Sequence, residues 1–351
     1  MTRAAIGKHP QDMRLLISYF FGPDAIPLGR SLAEAARALG HEVDCFDSQP
    51  EPWTHQYLAK HLVRIGRSVV PGCEHWLPGS SAWVRNRRLT ARVAAFRPEV
   101  ILVLLGNSFR PGLVRSLAQR HGVKATIGWW VKDTACQVRE RSLVNEFTHF
   151  ASIGTWRTES GIAHLSAIAA DTVRFRPASR PQARDLPLVF VGGWNRRRDP
   201  FFRAIADLPL HLYGPHWTKQ GFADHHMAEA LWGDDLLDTL HRTQVAINVS
   251  SFDQGHGAGA GANHRLLDVA LCGTLLLSEW SPEVERIYGD LTSEISFRTP
   301  AELRHRATAL LADPVRCAAL ALAMQHRAAA QPNYRDLVQR VLALVPPAAK
   351  P

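Results

Sequence analysis

The segment LVFVGGWNRRRD, Leu188 to Asp199, runs an apolar strand into Gly192 and Gly193, then into Asn195, Arg196, Arg197 and Arg198 at the entrance of a helix. Glycines let a backbone come close to a bound group, a helix start offers free N–H groups, and guanidinium forks match phosphate oxygens. The combination suits a diphosphate, although the arginines by themselves also describe a solvated basic turn. A second segment, VAINVSSFDQGHGAGAGANHRLLDVALCGTLLLSEW (Val245 to Trp280), is strand, glycine-rich loop, polar helix start, apolar helix, Gly273, strand and acid. Gly255, Gly257, Gly259 and Gly261 have nothing to pack with, so their loop surrounds something or moves. Arg265 and Asp268 stand one turn apart on the following helix and so share a face. That pair offers an arginine to phosphate and a carboxylate to paired ribose hydroxyls, or else it is an i,i+3 ion pair.

These segments need a scaffold that brings strand ends together, and the chain alternates short apolar runs with helical stretches, the pattern of βαβ units around a mostly parallel sheet. Strands are expected at Arg14 to Phe20, His41 to Asp47, Val100 to Leu105, Ala125 to Val131 and near Phe150 to Thr155. Helices are expected at Leu28 to Leu39, Ala82 to Phe96 and Pro111 to Gln119 between them. The stretch Arg174 to Pro187, rich in Pro and Arg and without apolar period, is the best linker candidate. Beyond it come strands at Leu188 to Val191, His211 to Tyr213, Val245 to Val249 and Thr274 to Leu277, a helix Asn263 to Leu271, and helices from Pro300 onward. The expectation is therefore an α/β protein of two facing Rossmann-like domains, 1–178 and 179–351, the last helix (Tyr334 to Leu344) packing back on the first. Ligands of such sheets bind beyond the carboxyl ends of the strands, here in the cleft between domains.

The second half resembles the C-terminal domain of GT-B glycosyltransferases, specifically the CgeB-like (spore maturation protein) branch of the group 1 superfamily. The resemblance rests on FVGGWNRRRD, LHLYGPHW, NHRLLDVALCGTLLLSEW, SFRTPAELRHRATALLADPVRCAALA and the terminal NYRDLVQRVLAL, and more loosely on RLLISYF, LGHEVDCFD, PEVILVLLGNS and IGWWVKDT in the first half. Arg265, Asp268 and Gly273 match the family's Arg, acid and Ala-x-x-Gly. Two departures stand out. Asp268 replaces the commoner Glu, and Ala260 occupies the place of the first glutamate in the wider E-x7-E pattern, which argues against importing a retaining mechanism.

The resemblance implies a metal-independent glycosyltransferase that takes a nucleotide-sugar donor, needs no further cofactor, and serves a glycan, protein or metabolite acceptor, as in polysaccharide biosynthesis. The donor set it implies is Gly193, Arg197, Ser250, Gly257, Gly259, Asn263, His264, Arg265 and Asp268, with arginines on the diphosphate and Asp268 on the ribose. An inverting reaction needs a base from the first half. Asp133, after the strand IGWWVKD, is the first candidate and Asp24 the second, while Asp133 as a helix cap and Asp24 as a turn former are the plainer readings.

Other readings stay in play. Gly255, Gly257 and Ala260 satisfy G-x-G-x-x-G/A and Glu279 ends the next strand, which would suit an NAD-dependent oxidoreductase. A nucleotide-sugar or glycan-binding protein without catalysis would also fit the loss of the first glutamate. The 351 residues carry 41 Lys and Arg against 32 Asp and Glu, a net +9 that favours anionic partners. The run Arg85, Arg87, Arg88, Arg92 and Arg97 has no accompanying groove-reading or base-stacking signature, so nucleic acid is not expected. Cys45, Cys73, Cys136, Cys272 and Cys317 are scattered, without metal or disulfide spacing, and a reducing cytoplasm suits them. No apolar run reaches the ~18 residues of a span, so membrane contact is expected to be peripheral at most.

Overall fold

A computed structural model describes residues 12–22, 25–49, 52–105, 108–131, 143–153, 163–180, 182–251 and 263–345. Its contacts divide the chain into two units: the described residues of Met1–Ala167 with those of Arg335–Pro351, and Ile168–Tyr334. The division thus falls at Ala167 and Ile168 and not at 178 and 179. The physical reason is burial: Ala170 and Phe175 sit in the hydrophobic core of the second unit.

The first unit holds β1 (Arg14–Tyr19), β2 (Glu42–Asp47), β3 (Val100–Leu104), β4 (Ala125–Trp130), β5 (His149–Ser152) and β6 (Ala163–His164), all parallel in the order β2-β1-β3-β4-β5-β6. VILVL in β3 and ATIGWW in β4 are buried throughout, as strands covered by helices on both faces must be. The covering helices include Leu28–Ala38, whose Leu28, Leu32 and Ala36 fall on one buried face, and Ser81–Phe96. Ser80 caps the latter by accepting the Trp83 N–H at 3.1 Å.

The second unit holds β7 (Leu186–Val191), β8 (Leu210–Tyr213), β9 (His226–Ala228), β10 (Thr243–Asn248), β11 (Leu275–Glu279) and β12 (Ser296–Phe297), again all parallel, in the order β12-β11-β10-β7-β8-β9. Counted from β7 this is the Rossmann order 3-2-1-4-5-6, so the winding reverses between β7 and β10, the place where such sheets bind ligands. Leu188 and Val189 pair with Val245 and Ala246 across that reversal. At the opposite, amino end, Arg184 donates from Nη1 to Thr243 O and Thr274 Oγ1, both at 2.6 Å, and from Nη2 to Gly273 O at 2.7 Å. One guanidinium thereby joins the starts of β10 and β11. Among the described residues no single helix is long and apolar enough to cross a membrane.

Candidate functional site

Where β7 ends, the chain has no room for side chains. Gly192 N–H donates to Tyr213 O at 2.7 Å, and the Gly192 carbonyl accepts the indole N–H of Trp217 at 2.8 Å. Trp217 is fully buried among Phe190, Phe202 and Phe222, so the LYGPHW segment clamps the glycine turn onto the core. Gly214 has φ +137°, and a Cβ there would fall 2.5 Å from the backbone of Gly192. The two strand ends can lie back to back only if this residue is glycine.

Three guanidiniums converge on this turn. Arg198 is buried and donates from Nη1 to Gly193 O at 2.6 Å and from Nε to Val249 O at 3.1 Å, spanning the gap between the ends of β7 and β10. Arg265, on the helix Arg265–Leu271, reaches across to Val191 O at 2.8 Å. Both lie against the Phe190 ring, their Cζ atoms 5.0 and 5.4 Å from its centroid. Arg197 differs: its fork closes on the buried Glu279 carboxylate, with Nη1 2.9 Å from Oε2 and Nη2 on Oε1, and Nη1 also meets Ser250 O at 3.1 Å. Ser250 N–H completes the cluster by donating to Glu279 Oε2 at 3.1 Å.

The charge balance is uneven. Among the described residues, three cations share one carboxylate, and that carboxylate is committed to Arg197. Burial, with the neighbouring Arg265 and Arg197 charges, pushes Arg198 down to about 9, and burial takes Arg265 to about 10. Guanidiniums stay protonated, so these shifts measure an unrelieved cost of holding positive charge under the turn. An anion delivered to the ends of β7 and β10 would relieve it.

Asp268 supplies the second half of the site. It forms no ion pair with Arg265, which has turned to the Val191 carbonyl instead, and no side-chain hydrogen bond to another described residue. Burial and the nearby Asp171 charge push its carboxyl well above the usual carboxylate range. Asp171 is itself buried and accepts from Arg174 N–H at 3.1 Å and Arg174 Nη1 at 3.2 Å. His264, one turn before Asp268, is driven by burial down to about 4, against the pull of Asp171 in the other direction, so it is neutral at pH 7. Asp268 follows Arg265 by three residues on the same short helix and, with no side-chain donor among the described residues, offers its oxygens to hydroxyls.

Of the residues expected from sequence, Gly193, Ser250, Arg265, Asp268, His264 and Asn263 lie on the turns beyond β7 and β10 or at the start of the helix Arg265–Leu271. Arg197 is there too, spent on Glu279. Gly257, Gly259, Asp133 and Asp24 lie outside the described residues, as do Gly255 and Ala260 of the dinucleotide pattern. Glu279, the acid that pattern needs for a ribose, is already occupied by Arg197 and Ser250. Arg198 and Asp171 were not singled out individually by sequence. A run of three arginines does not say which one turns inward, and Asp171 sits in no recognisable motif. Among the described residues no three His, Cys, Asp or Glu side chains converge to hold a metal ion.

Residues 196–343 match a family model described as glycosyl transferase-like, and Arg198, Arg265, Asp268 and Glu279 all fall inside that span. No curated protein matches the chain. Among solved structures, the T4 phage β-glucosyltransferase superposes with a TM-score of 0.58 at 9% identity, covering 95% of this chain and 99% of that one. Anabaena HepE, solved in complex with UDP and glucose, gives a TM-score of 0.57 at 11% identity over 94% of this chain and 98% of that one. A mutant of the phage enzyme with UDP-glucose gives 0.54 at 9% identity, with coverage of 95% and 99%. At such identities the likeness carries the fold, two parallel α/β sheets of GT-B type. The family match and the fold together support glycosyl transfer, so the chain is a GT-B-fold protein with a glycosyl transferase-like segment at residues 196–343.

Proposed function

We propose that this protein transfers a sugar from a nucleoside-diphosphate donor held on its second unit, as a member of the CgeB-like branch of group 1 glycosyltransferases. The observation that carries the reading is the charge imbalance at the β7–β10 reversal: among the described residues Arg198 and Arg265 meet no counter-anion by hydrogen bond, while Asp268, on the same helix as Arg265, meets no side-chain donor. A diphosphate between the guanidiniums and a ribose diol on Asp268 would satisfy all three. Departing diphosphate gains the same stabilisation as bond cleavage develops charge on it, so the arginines serve catalysis without a metal ion. The acceptor proton would pass to Asp133, with Asp24 as the second choice, and the acceptor class is a glycan, protein or metabolite of the cytoplasm. Arg197 acts one step back in this scheme, holding Glu279 and through it the Ser250 turn.

Ligand-induced thermal shifts test it directly, because a ligand at a hundred times its Kd adds about 2.7 kcal/mol to the folded state. UDP is the first probe, since HepE was solved with it and the phage enzyme with UDP-glucose. UDP, GDP or dTDP should raise the melting temperature and NAD should not. Stabilisation by NAD alone would replace this reading with an oxidoreductase.

A further inference from the structure

Thirteen large hydrophobic side chains are exposed among the described residues, and seven of them fall within Trp53–Trp76 of the first unit. Trp53, Tyr57 and Ile65 recur at spacings of four and eight along a helical stretch that includes His55–Ala59 and Lys60–Gly66, and Val69 follows in the turn beyond it, with exposures of 66%, 74%, 65% and 77%. In this stretch Ala59 and Val63 turn inward and are buried, so the helix rests on its unit by a narrow ridge. Trp76, 62% exposed, stands where the following turn returns, with the Arg110 guanidinium 4.6 Å from its ring centroid. Scattered apolar residues on a surface are ordinary, whereas a contiguous set with two tryptophans is not.

Charge marks the same region. Residues 52–98 contain eight Lys and Arg and a single acid, Glu74, a net +7 of the chain's +9. Glu74 is taken by Arg67 at 3.1 Å, and Arg92 is paired with Asp44. Lys60 and Arg64 are exposed, form no ion pair with another described residue, and lie among the apolar side chains in sequence. Aromatic and branched side chains bordered by free cations, on a helix lying along the surface, match an interface between headgroups and acyl chains. A second copy of the chain fits poorly, because pairing this patch with itself would oppose like charges. A bare glycan would use the tryptophans but not Leu62, Ile65 and Val69.

We propose that the face Trp53–Trp76 docks the protein on an anionic phospholipid bilayer, its apolar row entering the headgroup boundary and Lys60 and Arg64 meeting lipid phosphates. This goes beyond the proposed activity and is read without a donor or acceptor, so either can fail alone. The experiment is co-sedimentation of the full chain with phosphatidylcholine vesicles, with and without phosphatidylglycerol. Binding should require the anionic lipid and fall with salt. Lys60→Gln with Arg64→Gln should lower the partition coefficient about 25-fold, at about 5-fold per cation. Trp53→Ser with Tyr57→Ser and Ile65→Ser should abolish binding with no change in melting temperature, and Val315→Ser, at an exposed residue of the second unit, should bind as the parent does. Four results would each overturn the proposal: no binding to either vesicle; equal binding to both; vesicle binding that survives both sets of substitutions; or, in sedimentation velocity, a dimer that Trp53→Ser dissolves, which would give the face to a second copy. Binding to single-stranded RNA, lost in the glutamine variant without any vesicle binding, would likewise assign it elsewhere.

Discussion

Asp268→Asn should move stability and donor affinity in opposite directions, and the structure says why. Among the described residues the carboxylate meets no side-chain donor, and it bears the cost of burial and the nearby Asp171 charge. Replacing it by a neutral side chain of the same shape removes that repulsion, a gain of the size common for stabilising substitutions, ~0.5–2 kcal/mol. For a unit of 167 residues (Ile168–Tyr334), where each kcal/mol moves the melting point ~2–4 °C, the rise is about 1–8 °C. Its pH dependence has a definite sign. The folded-state carboxyl is raised above its unfolded value of 3.8, so the native state binds the extra proton and the wild type regains stability as pH falls through the folded value. The advantage of the variant is therefore largest above the folded value and shrinks as pH falls through it. Nucleotide affinity should drop, since each charge-assisted hydrogen bond to the ribose contributes ~1.5–3 kcal/mol, or ~10- to 150-fold. Scanning calorimetry across a pH series with titration of UDP, GDP and dTDP reads all of this. A loss of stability at every pH, or a gain independent of pH, would remove the unpaired carboxylate from the explanation. Unchanged nucleotide binding would take Asp268 out of the site.

Arg265→Met and Arg198→Met should each weaken nucleoside diphosphate binding at least tenfold while leaving affinity for the bare nucleoside nearly intact, and Arg265→Lys should not restore it, because an ammonium lacks the planar fork; equal losses for nucleotide and nucleoside in isothermal titration would mean collapse of the turn instead. Gly214→Ala forces a methyl to within 2.5 Å of the Gly192 backbone at φ +137°, so the melting temperature should fall by several degrees, at ~1–3 kcal/mol for such strain; a neutral effect would show that the turn can open. Once a donor is found, Asp133→Asn should reduce kcat by ~10² to 10⁴ with donor affinity retained, and near-normal turnover would move the base to another residue.

Much of the fold could be read from the chain because its parallel strands are continuous apolar runs closed by turn residues. VILVL and LVFVGG need no tertiary context to be recognised. The short edge strands Ala163–His164, His226–Ala228 and Ser296–Phe297 escape because two or three residues carry no period. The stretch Arg174 to Pro187 looks like a linker by composition, yet Phe175 enters the second core and Arg184 binds the starts of two strands. Arg184 acts through partners about 60 to 90 residues away and Phe175 through a core assembled from the whole second unit, which local pattern does not register. In the site, Arg265 and Asp268 were legible from their spacing, but not their independence. Only the fold shows Arg265 turning to Val191 and leaving Asp268 alone. The assignment of Arg197 and Arg198 depends on a single turn of helix whose phase is set by Asn195, which accepts the Arg198 N–H at 3.0 Å.

Arg184 stands at the far end of β10 and β11 from the charged turns, and the separation bears on how the protein can change. With the starts of both strands tied by one side chain, the sheet keeps its register whatever residues occupy the opposite loops. Substitutions around Ser250, His264 and Asp268 can then be sampled one at a time while the foundation beneath stays put. An architecture anchored away from its loops tolerates wide change in the residues it carries, and this chain superposes over nearly its full length on two structures with which it shares about a tenth of its residues.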